Sequence, residues 1–481
     1  MGPRSGAPVI LALSSLLCVA ITGIFFAKSP AASDRIPSPL KAVNDVWVTL
    51  AAAATTGGFA LWVAAVVAAA HAQRPLPGWL AQLPIIVIDD RAPRYGHAPF
   101  GTVIGGAALL STLGLAGLYF SMRGRRPGMR TQTILGTAFV ATAGLALFSP
   151  ALTSFDLYAY AGASHAGITA GYHPIGVPFT GEWAAINTIY GTPIVPSPYG
   201  PVWLLVSYLL TAWAPTLWSA LTLLRALELA ALLACIGALR ALRVPAHAIA
   251  VFALNPALHA NFVTDGHNDL LAVAFVLAAA ALRERSLPLA IFVAACAAGI
   301  KLPFLAIAPL AFALEPSVMR RFAAAGATVA VGLVLSFSLG AAGYTSARVQ
   351  TAAIYRATLA DPTVDALRFA LLALALGAVA AALCARRFGP TMSWAFVAFG
   401  TSLFGWYLAW GIPYAVTERR WLSTYLISLP LLSFLLTTAF APTIAANIAF
   451  RLATLLAPIA VLFALRHERD VRLRYGRAAG S

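Results

Sequence analysis

Apolar runs about as long as a bilayer is thick recur along the whole chain, and nothing constrains its fold more. They fall at 8–27, 47–70, 100–120, 131–149, 219–239, 322–341, 366–385, 421–440 and 443–465. Each approaches the roughly 20 residues an α-helix needs to cross the hydrocarbon core. In lipid every backbone N–H and C=O must be bonded internally, which a helix achieves and an open strand does not. The sequence therefore predicts an all-α, polytopic integral membrane protein. Composition agrees: 10% of residues are charged, against about a quarter in soluble domains.

Two further stretches, 246–314 and 391–418, are apolar but broken by polar residues and prolines. They read as pairs of short or tilted helices meeting at one membrane face, giving about 13–15 membrane segments. No soluble domain interrupts them. The expected organisation is a single membrane domain: N-terminal helices over 1–149, an outer loop with surface helices over 150–217, a helical bundle over 218–465 and a basic tail over 466–481. The first run, Pro8 to Ala27, has no small-residue cleavage site before the charged stretch and reads as a retained helix. Cys18, Cys235, Cys296 and Cys384 lie in apolar segments without metal-type spacing, as small core residues do.

The net charge of +16 does not point to nucleic acid, because the basic residues sit at the ends of apolar runs. Arg123, Arg125, Arg126 and Arg130 form one such cluster. Arg240/Arg243, Arg283/Arg285, Arg320/Arg321, Arg386/Arg387, Arg419/Arg420 and the tail from Arg466 to Arg477 form others. The positive-inside rule makes these ends cytoplasmic. The loop 150–200 holds no Lys or Arg, so it falls on the outer face, and 261–269, 301–303, 342–365 and 405–406 return to that face. Two full crossings between 201 and 240 would put Arg240 and Arg243 outside, so 201–213 is expected to lie along the outer surface.

Ionisable groups at membrane depth are costly and mark functional positions, and the outer-face breaks gather them. The outer loop carries Asp156 and Glu182 among five tyrosines between Pro150 and Trp203. Asp156, among apolar and tyrosyl neighbours, suits a general base; it equally suits a helix N-cap. Tyr158 and Tyr160 follow it, with interfacial anchoring as their other reading. In Thr264-Asp265-Gly266-His267-Asn268-Asp269, the residues Asp265, His267 and Asp269 offer a divalent cation oxygen and nitrogen ligands. The same stretch also caps the helix expected from Leu270. Lys301 stands between apolar runs, where a phosphate would partner it or its stem would snorkel. Arg348, Arg356, Asp361, Asp365 and Arg368 lie together in 342–368. Arg225 and Glu228, three apart on one helix, are expected to neutralise each other. Asp89-Asp90-Arg91, His165 and His173 read as loop residues.

Four motifs in order resemble the GT-C glycosyltransferase superfamily, and within it the bacterial polyprenol-phosphate-mannose-dependent α-mannosyltransferases. Phe155-Asp156-Leu157-Tyr158 with Gly171-Tyr172-His173-Pro174 is similar to their D-x-Y loop and its G-x-N-P-Y turn. Ser197-Pro198-Tyr199-Gly200-Pro201-Val202-Trp203 resembles P-Y-G-P-x-W. Asn255-Pro256 with Gly266-His267-Asn268-Asp269 resembles N-P…G-x-H-N-D, and Trp406-Tyr407-Leu408-Ala409-Trp410 resembles W-Y-x-x-W. His173 and Ile175 stand where that pattern has Asn and Tyr.

The resemblance, covering roughly residues 130–440, implies a membrane enzyme that moves a hexose, most simply mannose, from a polyprenyl-phosphate donor to an envelope glycan or glycolipid acceptor with inversion. It implies Asp156 as the base, and Lys301 with Arg356 at the donor phosphate. It implies Tyr158, His173, Tyr199, Trp203, Asp265, His267, Asn268, Asp269, Trp406 and Tyr407 as sugar- or acceptor-binding residues. The one cofactor considered is the divalent cation at Asp265, His267 and Asp269. The expected location is the bacterial plasma membrane, in contact with lipid, with the site facing the periplasm. A secondary transporter, a lipid or glycan flippase, a lipid-linked glycan polymerase or ligase, and a non-catalytic scaffold are the alternatives. A transporter would show an inverted repeat and a polar path through both faces, whereas these candidates gather on one.

Overall fold

Backbone self-sufficiency in lipid demands helices, and helices are what the chain forms. The structure, a computed structural model, describes residues 44–73, 100–338, 379–380, 383–384 and 405–438, apart from positions 150, 153, 155, 169, 174, 192, 193, 195 and 418. Asp89-Asp90-Arg91, the stretch 342–368 with Arg356, and the expected spans at 8–27 and 443–465 lie outside the described residues.

Three long apolar helices come first: α1 (Asp45–Gln73), α2 (Phe100–Met122) and α3 (Met129–Phe148). The Asn44 side chain starts α1 by accepting the Val46 N–H at 3.0 Å. Lipid gives helices no hydrophobic reason to associate, so contact depends on close backbone approach and hydroxyl bonds. A Cβ on Gly58 would lie 2.4 Å from Ser111 Oγ, and one on Gly114 would lie 2.4 Å from Thr55 Oγ1. Thr56 and Thr142 hydroxyls meet at 3.1 Å and tie α1 to α3.

Beyond α3 the chain becomes polar and the elements shorten. Helix α4 (Asp156–Ala166) leads through the 3₁₀ turns Ala170–Tyr172 and Gly181–Trp183 into α5 (Ala184–Tyr190). An isolated antiparallel bridge, Ile175 with Ile194, closes the loop. Helix α6 (Pro201–Thr211) opens on Pro201, whose missing donor is one a first turn never uses. Its 11 residues rise about 16 Å, so this helix alone is too short for the ~30 Å core. Helix α7 (Leu217–Ala241) follows behind a reciprocal Thr216–Ser219 capping box.

Next comes the broken region read from 246–314. Helix α8 (Ala246–Ala253) bends by 42° into the segment Pro256–Thr264. Pro256 withholds its N–H there, and Asn255 repairs the break by accepting the Ala257 N–H at 3.1 Å and donating to the Leu426 carbonyl at 2.7 Å. The π-helix His259–Thr264 ends at a turn in which Gly266 has φ +70°. Helices α9 (Asp269–Leu282) and α10 (Leu287–Ile300) have 14 residues each and run antiparallel across the 283–286 turn. Equal lengths bring Asp269, which opens α9, level with Lys301, which closes α10. Helix α11 (Val318–Ser338) packs on α10, and the 3₁₀ stretch Gly405–Gly411, α12 (Ile412–Thr417) and α13 (Arg419–Thr438) complete the described chain.

Five of these helices are long and apolar enough to cross a membrane: Asp45–Ala68, Val103–Met122, Met129–Phe148, Leu217–Ala241 and Val318–Phe337; the bent pair adds a sixth if counted as one span. Among the described residues no strand occurs beyond the single bridge. The chain is an all-α polytopic membrane protein. Gly58→Val forces side-chain volume onto the Ala107 carbonyl, 2.8 Å from the Cβ position, and is expected to destabilise α1–α2 packing by about 1–3 kcal/mol. Gly57, whose Cβ would meet nothing within 4 Å, should accept Ala without loss. Thermal unfolding of the two detergent-solubilised variants checks the pair, and equal stability would contradict this packing.

Candidate active site

Helix α4 has to begin somewhere, and where it begins decides what Asp156 is free to do. Asp156 is the first residue of α4, and its N–H bonds to Ser154 Oγ at 3.1 Å. Ser154 therefore supplies the capping oxygen, and the Asp156 carboxylate remains available. One carboxylate oxygen lies 3.5 Å from His267 Nδ1; the Asp156 side chain is 34% exposed and the His267 side chain is fully buried. Burial raises the Asp156 carboxyl above its ordinary value, while the nearby Lys301 charge opposes the rise. Burial, reinforced by Lys301, lowers His267 well below its ordinary value. His267 is thus held neutral, and the Asp156 carboxylate is a stronger base than an ordinary aspartate.

Two constraints hold His267 there. Its ring stacks on Trp406 with centroids 3.9 Å apart and planes 18° apart. A Cβ on the preceding Gly266 would lie 2.2 Å from Leu157 Cδ1, so only a glycine lets this turn touch the residue after Asp156.

The second half of the site is a caged ion pair. Lys301 Nζ bonds both Asp269 oxygens, at 2.8 and 3.0 Å, and Trp410 Nε1 donates to Asp269 Oδ1 at 2.6 Å. The ammonium faces the rings of Tyr199, Tyr407 and Trp410 at 5.3, 4.8 and 5.6 Å from their centroids, within cation–π range. Tyr199 connects the halves: its hydroxyl accepts from Tyr160 at 2.9 Å, and the Tyr160 ring meets Trp203 edge-on at 5.1 Å.

The structure thus gathers Asp156, Tyr199, Trp203, His267, Asp269, Lys301, Trp406 and Tyr407. The remaining sequence candidates make other contacts. Tyr158 is fully buried toward Arg225; on a helix the residue at i+2 leaves the face of residue i, whereas i+4 shares it, so Tyr160 faces the site instead. His173 is exposed on the loop between α4 and α5. Asp265 accepts the Leu152 N–H at 2.6 Å and so fastens the chain before α4 to this turn. Asn268 is fully buried, and neither side-chain polar atom finds a partner among the described residues. No group of three His, Cys, Asp or Glu side chains placed to hold a metal occurs among the described residues, so Asp265, His267 and Asp269 do not converge as the spacing suggested. Arg225 does not neutralise Glu228: its Nε donates to the Thr264 carbonyl at 2.8 Å and Nη1 to the Leu147 carbonyl at 3.1 Å. Tyr160 and Trp410 join the site although the resemblance did not place them among the binding residues; i+4 spacing from Asp156 and the second Trp of W-Y-x-x-W signalled them.

A multispanning helical protein with a carboxylate, a neutral imidazole and a caged ammonium gathered by breaks in its helices has the parts of a membrane transferase. Over residues 51–315 the chain matches the family described as alpha-(1->6)-mannopyranosyltransferase, N-terminal domain. That is more than half of its 481 residues, and the chain belongs to this family of GT-C-type mannosyltransferases. Neither the curated proteins nor the solved structures contain a match.

A carboxyl serves as a base only when ionised, so a base role for Asp156, whose pKa is raised, predicts an acid limb of kcat/KM above the ordinary aspartate value of about 3.9. Lys301→Met removes the charge that opposes the rise and should move that limb to higher pH, with Lys301→Arg returning it toward wild type. An unmoved limb in the Met variant would count against electrostatic contact between the two groups.

Proposed function

We propose that this mannosyltransferase takes mannose from a polyprenyl-phosphate donor and places it on a hydroxyl of an envelope glycan or glycolipid, at the outer face of a bacterial plasma membrane. The observation that carries the reading is Asp156: a partly exposed carboxylate with a raised pKa, beside a buried neutral histidine, at the start of a helix in a stretch, 150–200, free of Lys and Arg. Such a group takes a proton from an attacking hydroxyl, and its pKa suits that task better than that of an ordinary aspartate.

In the proposed step the acceptor oxygen forms a bond to the anomeric carbon as its proton passes to Asp156. The bond from that carbon to the phosphate oxygen breaks, and polyprenyl phosphate leaves with the electron pair. A single displacement inverts the centre, so a β-linked donor gives an α-linked product. His267, held flat on Trp406, orients the carboxylate. Asn268, buried and without a partner among the described residues, suits a sugar hydroxyl, because an unbonded buried amide is costly until a ligand satisfies it. Tyr199 and Trp203 wall the sugar site. Lys301 meets the leaving phosphate if Asp269 yields part of its hold, and Arg356 is its proposed companion.

Asp156→Asn keeps the shape and removes the base. Membranes carrying it, supplied with polyprenyl-phosphate mannose, should transfer about 10²–10⁴-fold more slowly than wild type with donor KM little changed. Near-normal turnover would remove Asp156 from the chemistry, and loss of uptake of a solute with intact glycans would favour a transporter.

A further inference from the structure

The outer loop carries a second aromatic construction that the proposed chemistry does not use. At the far end of α4, the His165 ring stacks on Trp183 with centroids 3.9 Å apart and planes 20° apart. Phe179 stands beside both, at 5.9 and 6.4 Å. These rings are not buried: His165 is exposed, and Trp183 and Phe179 are half-exposed. They are nevertheless fixed. Asn187 clamps Phe179 by accepting its N–H at 3.1 Å and donating to its carbonyl at 2.6 Å. Phe179 also rests on bare helix at Gly162, where a Cβ would lie 3.4 Å from its ring. Gly181, at φ +60°, makes the turn that sets exposed Thr180 and Glu182 next to the rings.

We propose that His165, Phe179 and Trp183 form an acceptor subsite that holds hexopyranose units of the glycan at a distance from its reacting end; this rests on the glycan-transfer reading above. A pyranose presents a face of C–H bonds that lies on an aromatic ring and an edge of hydroxyls that bonds to groups such as Glu182 and Thr180. Charge selects the same ligand. The loop from 150 to 200 contains no Lys or Arg, and partial burial lowers the His165 pKa, which disfavours a positive charge there. A neutral polyhydroxyl chain fits such a surface; an anionic headgroup or a phosphate does not. Helix α4 starts at Asp156 and reaches His165 nine residues later, about 13 Å along its axis at 1.5 Å per residue and half a turn round it, so only an acceptor of several sugars, passing round the helix, reaches from the base to the rings. Rings held in place before binding cost little ordering entropy when a flexible chain docks.

Full-length enzyme in nanodiscs, given polyprenyl-phosphate mannose, tests this with two acceptors, an α-(1→6)-linked mannose disaccharide and the corresponding hexasaccharide. Trp183→Ala should raise KM for the hexasaccharide about tenfold, near the upper end of what one aromatic face contributes. The disaccharide KM and both kcat values should stay put, and Trp183→Phe should retain wild-type behaviour. Equal effects on both acceptors, or none on either, would overturn the subsite. An equal defect on both acceptors that disappears in detergent micelles would identify the rings as a bilayer anchor and overturn it as well. Should the wild-type enzyme use neither acceptor, the transfer reading is what fails, and calorimetric binding of the hexasaccharide decides the subsite separately. Binding lost in Trp183→Ala supports it; no binding by wild type overturns it.

Discussion

The Asp269–Lys301 pair is the contact around which the site is built. Asp269 is fully buried and Lys301 nearly so, and taking both charges out of water is repaid only by excellent geometry and further hydrogen bonds. Both are present: two N–H···O bonds, a third from Trp410, and ring faces around the ammonium. Leaving either charge alone would cost about 3–5 kcal/mol, so α9, α10, the Tyr199 loop and the 405–411 stretch are fixed relative to one another. The backbone adds its own lock where Gly200 N–H bonds the Ile300 carbonyl at 2.8 Å. A Cβ at Gly200 would lie 2.2 Å from the Gly299 carbonyl oxygen. Through the Tyr199–Tyr160 hydroxyl bond this frame reaches α4, and with it Asp156.

A second polar tie acts from below. Arg225 rises from α7 and bonds the Thr264 and Leu147 carbonyls, while Asp265 holds the Leu152 N–H. Carbonyls left open at the end of a span and at a π-helix are expensive in an apolar interior, and one guanidinium satisfies both. The approach to α4 and the turn bearing His267 are therefore parts of one unit, and the 3.5 Å separation of His267 and Asp156 follows from that unit rather than from their own attraction.

What the sequence disclosed divides along physical lines. Span-length apolar runs report on bilayer thickness, which acts on each segment alone, and the five such helices among the described residues were legible. So was the broken 246–314 region, because Pro256 and the polar TDGHND turn announce a helix that cannot continue. Partners were not, since they depend on rotamers and on chains remote in sequence. Arg225 and Glu228 had pairing distance on one helix, but the carbonyls of Thr264 and Leu147, brought in by the fold, took the guanidinium. Lys301 looked like an ammonium awaiting phosphate until α9 and α10 proved equal in length and set Asp269 beside it. Tyr158 was favoured over Tyr160 by a motif read along the chain, where the helix reads it by its 3.6-residue period.

The pairing of Lys301 has a consequence for the phosphate-linked donor proposed above. Among the described residues the site holds two carboxylates, Asp156 and Asp269, against one ammonium, with His267 uncharged. An excess of one negative charge suits a base that accepts a proton from a neutral hydroxyl. It repels a phosphate, and in a low-dielectric surrounding that repulsion is not screened away. A donor of that kind would have either to draw Lys301 partly off Asp269 or to bring its phosphate to a further cation, which is the place proposed for Arg356. In the first case the aromatic cage has a purpose beyond stability. Ring faces keep the ammonium desolvated yet make no directed bond to it, so Nζ can turn from carboxylate to phosphate without being rehydrated between them.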